Sequence, residues 1–228
     1  MKVLCVGGGS GGHVTPALAV LNALAERIDD VSATFVTDRA FLTQTEGLAK
    51  QCAVPVNIVT ISAGKFRRYM DVALWKQVLS PGIGGRNLVD MFKTAGGVAQ
   101  SIRLLRKVRP DVVFAKGGYV SLPVGYAAHV LGIPLVIHDS DVRPGLTNRV
   151  LSRWATTIAT GMPVEHYRYN AELAVYTGVP VSRQFHVYTA SEQHKAKKSL
   201  GFSPRSPLIV VSGGGLGARD INEAMIRI

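Results

Sequence analysis

Residues 3–16 read Val-Leu-Cys-Val-Gly-Gly-Gly-Ser-Gly-Gly-His-Val-Thr-Pro, and this stretch constrains the fold more than any other. Val3, Leu4, Cys5 and Val6 form an apolar run of strand type. It passes straight into Gly7, Gly8, Gly9, Ser10, Gly11 and Gly12, and Thr15 followed by Pro16 predicts a helix start, with threonine as N-cap and proline at the first helical position. Strand, glycine loop and helix N-terminus together bind phosphate, because the backbone approaches closely and free N–H groups at the positive end of the dipole attract the anion. His13 sits between loop and helix, within reach of such a ligand.

The rest of the chain continues the rhythm. A helix is predicted over 16–28 with Leu18, Leu21, Leu24, Ala25 and Ile28 on one face, then a strand at 33–37, a helical segment near 41–52 and a strand at 56–61. Further strands are read at 111–115, 135–137, 156–159 and 173–176. Repeated alternation of this kind predicts an α/β fold with a parallel sheet covered on both faces. With 228 residues, 47% of them hydrophobic, the chain has material for a proper core. Two cysteines make no disulfide framework and fit a reducing compartment, and glycines interrupt the first apolar run too early for a signal peptide. Residues 120–137 carry no Asp, Glu, Lys or Arg, yet Pro123, Gly125, Gly132 and Pro134 break them into a buried helix and a buried strand rather than a membrane span.

The formal net charge of +11 invites anionic partners. Between Lys65 and Arg109 lie ten Lys and Arg against only Asp71 and Asp90. Tyr69, Met70, Val72, Leu74, Trp75, Val78 and Leu79 interleave with the bases, 81–85 reads as a break, and Leu88, Val89, Met91 and Phe92 precede a helix ending near Val108. Either an anionic membrane surface or ordinary core-facing packing accounts for such a stretch. No nucleic-acid motif accompanies it.

Gly7-x-Gly9-x-x-Gly12 also satisfies the dinucleotide fingerprint, and Asp38, 26 residues beyond Gly12, is a candidate ribose ligand, so a nicotinamide-dependent oxidoreductase is an open alternative. The P-loop is excluded, since no Gly-Lys-Ser/Thr follows. A second glycine turn, Lys116-Gly117-Gly118-Tyr119-Val120-Ser121, closes the strand at 111–115, with Ser121 as a candidate cap and the Tyr119 hydroxyl as a candidate sugar or diphosphate contact. A third glycine-rich turn follows a strand read at 208–211, after a helix ending near Leu200.

The string Gly-Gly-Gly-Ser-Gly-Gly-His-Val-Thr-Pro-Ala-Leu-Ala-Val resembles the first glycine loop of the MurG family, bacterial transferases whose pattern is Gly-Gly-x-Gly-Gly-His with x-x-Pro-x-Leu-Ala after it. Gly117-Gly118-Tyr119-Val120-Ser121-x-Pro is similar to a second family string. At His138-Asp139-Ser140-Asp141 and Gly145-Leu146-Thr147-Asn148 the family has His-Glu-x-Asn and Gly-x-x-Asn; His138, Gly145 and Asn148 match, while Asp139 and Asp141 depart, the latter exchanging a donor-capable amide for a carboxylate. Thr177-Gly178-Val179-Pro180-Val181 stands where the family has Gly-Asn-Pro-Val-Arg, with Ser182 at the Arg position and Arg183 next. The turn at 213–219 resembles Gly-Gly-Ser-Gln-Gly-Ala-Arg, with Gly215 and Leu216 replacing Ser and Gln.

The resemblance covers the whole chain, corresponds to roughly the first two-thirds of the family's length, and implies a GT-B type architecture. Residues 1–181 would form a Rossmann-like acceptor-binding lobe, and 182–228 would begin a second Rossmann-like lobe for the nucleotide-sugar donor. It implies inverting transfer of N-acetylglucosamine from UDP-N-acetylglucosamine to the C4 hydroxyl of undecaprenyl-diphosphate-linked N-acetylmuramoyl pentapeptide, a step in peptidoglycan synthesis. His13 is the implied base; Ser10, Gly11, Gly12, Gly117, Gly118, Tyr119, His138, Asp139, Asp141 and Asn148 the acceptor and diphosphate site; Arg183, Gly214, Gly215, Gly217 and Asn222 the donor side. No metal or cofactor is expected, with the nucleotide sugar entering as substrate. The implied partners are the acceptor lipid and the anionic cytoplasmic face of the cell membrane, met through 65–109, and no nucleic acid. Besides the oxidoreductase, the alternative is a non-catalytic lipid-binding or membrane-recruiting half completed by a second chain.

Overall fold

The computed structural model describes residues 1–65, 81–182, 185–213 and 217–227. Arg183, Gly214 and Gly215, and the bases and apolar residues of 66–80, therefore lie outside the described residues. The chain separates into two compact units, Met1–Val181 and Ser182–Ile228.

The first unit is a parallel sheet of seven strands: β1 (Lys2–Val6), β2 (Ser32–Thr37), β3 (Val56–Thr60), β4 (Val112–Ala115), β5 (Leu135–Asp139), β6 (Thr157–Thr160) and β7 (Ala174–Tyr176). Their spatial order is β3-β2-β1-β4-β5-β6-β7. The chain works outward from β1 to β3, then crosses back so that β4 pairs with β1, Val3 beside Val112 and Val6 beside Ala115. That reversal opens a crevice at the carboxyl ends of β1 and β4. The helices are α1 (Gly11–Ala25), α2 (Leu42–Ala49), α3 (Pro81–Val108), α4 (Ser121–Val130) and α5 (Leu146–Leu151).

Alternation along β1 sorts the core into two layers. Val3 and Cys5 pack with Phe35, Phe114 and the α1 residues Val14, Ala17, Leu18 and Leu21. Leu4 and Val6 face the other way, joining Val113, Leu135, Ile137 and the helical residues Leu105, Val124, Ala127 and Leu151. The period of two in a strand thus serves both sheet faces.

Three local expectations give way to the tertiary structure. Helix α1 begins at Gly11 rather than Pro16 and ends at Ala25. Ser10, in extended conformation, is its N-cap residue, and the His13 N–H donates to the Ser10 carbonyl at 3.2 Å. Thr15 and Pro16 lie in the second turn, where Pro16 packs into the core at the expense of one i→i−4 bond. The expected break at 81–85 is the opening of α3, since proline fits a first helical position. Ser121 is inside α4 instead of capping it, and its buried hydroxyl donates to the Gly117 carbonyl at 2.7 Å.

In the second unit, α6 (Ala190–Ser199) starts with a capping box between Thr189 and Glu192, and α7 is Arg219–Ile226. The strand expected at 208–211 is not formed: Ile209 is 85% exposed and Val210 78%. An extended segment becomes a strand only with a ladder partner, and among the described residues this one has none. No described helix is long and apolar enough to cross a membrane.

Candidate functional site

The carboxyl ends of β1, β4 and β5 surround a cavity of about 780 Å³. Ser10, Gly12 and His13 enter it from the start of α1; Lys116, Gly117, Gly118 and Tyr119 from the β4–α4 turn; Asp139, Ser140, Asp141, Gly145 and Asn148 from the β5–α5 region. Every acceptor-side residue expected from the sequence lines this cavity except Gly11 and His138, which adjoin it in the chain.

The glycine loop is held by a carboxylate. Asp38 caps the 3-10 turn Arg39–Phe41, with Oδ1 accepting from the Ala40 and Phe41 N–H groups at 2.9 and 3.3 Å. Its Oδ2 accepts from the Gly9 N–H at 3.0 Å. Asp38 is only 6% exposed, so its oxygens serve the chain itself. This corrects the dinucleotide alternative, which needs that carboxylate free for a ribose.

Tyr119 lines the cavity and also packs on the glycine loop. Its ring covers the glycine loop so closely that a Cβ on Gly9, where φ is +79°, would stand 2.7 Å from Tyr119 Cε1. Burial, then the charge and hydrogen bonding of nearby Asp38, push its phenol up to about 12. The tyrosine therefore braces the loop. The amides of Gly11 and Gly12 have no hydrogen-bond partner among the described residues and begin the helix whose positive end faces the cavity.

His13, in the first turn of α1, packs over the second glycine turn. A Cβ on Gly118, where φ is +80°, would lie 3.1 Å from His13 Cδ2 and would collide with the Gly8 carbonyl, so glycine is required there. His13 Nδ1 is buried without a hydrogen-bond partner. Burial lowers the imidazole pKa below its ordinary value and the Lys116 charge adds to this, while a hydrogen bond to the Lys116 backbone and the carboxylates of Asp141 and Asp139 oppose it.

The β5 end is a scaffold as well as a wall. His138, 1% exposed, faces away from ligand chemistry: its Nε2 donates to the Gly178 carbonyl at 2.9 Å, tying β5 to the segment after β7. Burial lowers its pKa. Asp139 Oδ2 accepts from the Tyr169 hydroxyl at 2.8 Å and Oδ1 from the Asp141 N–H at 3.3 Å. Asn148 Nδ2 donates to the His138 carbonyl at 3.0 Å, which leaves Oδ1 buried and unpartnered. A ligand N–H or O–H would satisfy that oxygen.

Two contributors escaped the sequence reading. Tyr169, 30 residues from Asp139, gave no local signal. Lys116 did: a lysine placed directly after the apolar run Val-Val-Phe-Ala is carried by the sheet into the interior. It is 3% exposed, its Nζ donates to Ser140 Oγ at 2.8 Å, and burial lowers its pKa against the opposing pull of Asp139 and Asp141. On the donor side, Gly217 has φ +86° and Asn222 is an exposed residue of α7, both within the second unit. Among the described residues no group of three or more His, Cys, Asp or Glu is placed to hold a metal ion.

Comparison with known proteins bears on this geometry. Residues 3–160 match the glycosyltransferase family 28 N-terminal domain. A UDP-N-acetylglucosamine–N-acetylmuramyl-(pentapeptide) pyrophosphoryl-undecaprenol N-acetylglucosamine transferase of Shouchella clausii is 36% identical over 226 residues, 98% of this chain and 57% of that protein. The like-named transferase of Clostridium kluyveri is 33% identical over the same shares. The crystal structure of Acinetobacter baumannii MurG superposes with a TM-score of 0.63 at 26% identity, covering 97% of this chain and 55% of that one. A putative UDP-N-acetylglucosamine 2-epimerase from Listeria monocytogenes shares the fold, with a TM-score of 0.56 at 14% identity. The chain thus spans a little over half the length of the curated relatives it matches. With the matched region running from β1 to the end of β6, and so taking in most of the cavity wall, the chain belongs to glycosyltransferase family 28 through its N-terminal domain.

Proposed function

We propose that this chain carries the acceptor-binding half of a transferase that moves N-acetylglucosamine from UDP-N-acetylglucosamine to the C4 hydroxyl of undecaprenyl-diphosphate-linked N-acetylmuramoyl pentapeptide, with inversion. The observation that carries the reading is the cavity at the sheet's carboxyl ends, where a helix N-terminus, a glycine turn and a histidine converge. The transferases it is similar to, matched over nearly the whole chain, support it.

In this reading the Gly11 and Gly12 amides and Ser10 receive the acceptor diphosphate at the positive end of α1. Gly117 and Gly118 form the opposite wall, Tyr119 and Asp139 keep the two walls in place, and Asn148 Oδ1 accepts from a hydroxyl or amide of the acceptor. Asp141, an exposed carboxylate on the cavity wall, brings negative charge to that side of the site. His13 takes the proton from the attacking hydroxyl; burial and the nearby Lys116 hold the imidazole neutral, the form a base requires. Arg183, Gly214, Gly215, Gly217 and Asn222 are the donor-side set, and transfer requires donor contacts beyond those of the first unit.

The acceptor lipid places the protein at the cytoplasmic membrane face. Leu88, Val89, Met91 and Phe92 of α3 are 50–68% exposed beside Lys93, apolar and basic groups suited to an anionic bilayer surface.

Titration of the chain with a short-chain, water-soluble analogue of the diphosphate-linked muramoyl pentapeptide tests the proposal. A Cβ on Gly11 meets nothing within 4 Å, so Gly11→Val leaves the fold standing while placing a branched side chain before the amides. Saturable binding that weakens in Gly11→Val is expected. Absence of binding, or equal affinity in the variant, overturns the assignment.

A further inference from the structure

Lys116 is a buried lysine whose charge Asp139 and Asp141 offset only from beyond contact distance. Its backbone N–H continues the β1–β4 ladder to the Val6 carbonyl at 3.1 Å, which fixes where the side chain starts. The side chain crosses the floor of the cavity to Ser140, just past β5, where Nζ makes its one hydrogen bond among the described residues, at 2.8 Å. Among the described residues no carboxylate lies within 4.0 Å of it. Asp139, whose charge acts on Lys116, has its Oδ2 bound to Tyr169 and its Oδ1 to the Asp141 N–H.

An ammonium has three N–H donors. One is matched here by a neutral hydroxyl, and the residue is 97% removed from solvent (3% exposed). A buried charge with no carboxylate in contact is unfavourable, and a chain that keeps one inside a cavity wall has a place for an anion. The same cavity presents the positive end of α1 and the unpartnered amides of Gly11 and Gly12 begin that helix, so the fields of lysine and helix point the same way.

We propose that Lys116 is a substrate-binding residue whose ammonium, held by Ser140 on the cavity floor, takes the charge of a diphosphate ester opposite the α1 N-terminus. This rests on the reading of the cavity as the acceptor site, which names the ester as the prenyl diphosphate; a nucleoside diphosphate offers the same chemistry from the donor side.

The test uses the whole chain with three probes: inorganic pyrophosphate, farnesyl diphosphate and UDP, each titrated calorimetrically into the wild type, Lys116→Met, Lys116→Gln and Ser140→Ala. The expected result is farnesyl diphosphate and pyrophosphate binding weakened at least about 10-fold by Lys116→Met and Lys116→Gln, the loss typical of hydrogen bonds to a charged group. Ser140→Ala should stay within about 3-fold of wild type, because the ammonium remains in the cavity. Without ligand, Lys116→Met should melt at or above the wild-type temperature, since a buried charge with no carboxylate in contact has been removed.

Equal weakening in Lys116→Met and Ser140→Ala would make the lysine a strut between β4 and β5 and overturn the proposal. Unchanged farnesyl diphosphate affinity in both Lys116 variants would overturn it while leaving the acceptor reading intact. A Lys116-dependent response to UDP alone would uphold the anion site and refute its assignment to the acceptor. Wild-type protein that binds none of the three would sink the acceptor reading and this inference together.

Discussion

Asp38→Asn separates a structural carboxylate from a ligand-binding one. Three backbone N–H groups, of Gly9, Ala40 and Phe41, converge on the two oxygens of a side chain that is 6% exposed. Asparagine keeps one oxygen. Turned toward Ala40 and Phe41 it preserves the cap, and its NH₂ then faces the Gly9 N–H, donor against donor. The lost bond was made to a charged acceptor, which is worth about 1.5–3 kcal/mol. Taking about 2 kcal/mol and a urea slope near 2 kcal/mol/M, the unfolding midpoint of the first unit falls by about 1 M. Far-UV circular dichroism during a urea titration reads this directly. The glycine loop loosens with it, so affinity for the diphosphate analogue falls in the same variant. A ribose-binding Asp38 predicts the reverse pattern: unchanged stability with lost NADH binding. A midpoint within about 0.2 M of wild type would refute the clamp, since surface substitutions away from such features fall within about 0.5 kcal/mol.

The other predictions concern the base, the second glycine turn and the membrane face. In a transferring enzyme containing this chain, His13→Ala lowers turnover about 10²-fold or more, and near-normal turnover removes it as base. Since burial and Lys116 lower the His13 pKa below 6.5, the neutral base persists to lower pH than in an ordinary histidine; activity falls only as pH drops through that lowered value, so the acid limb of kcat/KM lies below pH 6.5. Gly118→Ala forces a side chain to φ +80° against the Gly8 carbonyl and His13, lowering stability by more than the roughly 1–2 kcal/mol of left-handed strain alone; a melt matching wild type would contradict the packing. Binding to anionic vesicles weakens with added salt and again in Phe92→Glu, whose parent side chain is 68% exposed, and sedimentation with lipid checks both.

The strand, glycine loop and helix at the N-terminus, and the alternation that followed, were legible because they depend on neighbours in sequence. Apolar residues two apart make a two-faced strand, glycines permit a tight turn, and the parallel sheet follows from repetition. Most residues of the cavity were legible for a related reason: they stand at the ends of such strands, where an open parallel sheet binds its ligands. The rule of proline at a first helical position was applied to Pro16, where packing against β1 and the Ser10 carbonyl carried the helix start back to Gly11, while at Pro81, read as part of a break, the helix does begin at the proline.

What the sequence could not decide depended on partners far along the chain. Asp38 stands where a dinucleotide ligand would, and its role turned on Gly9, 29 residues away. Tyr119 kept its place in the cavity wall, and its close packing on Gly9, 110 residues away, came only with the fold. The apolar segment at 208–211 has the composition of a strand, and without a ladder partner among the described residues it stays exposed. Lys116 is the clearest case: its position after an apolar strand is written in the sequence, while its burial and its lone partner Ser140, 24 residues on, exist only once β4 and β5 lie side by side. Local propensity depends on each residue's own backbone and neighbours; burial, charge pairing and hydrogen-bond partners depend on which strands meet, and that is settled by the packing of the whole sheet.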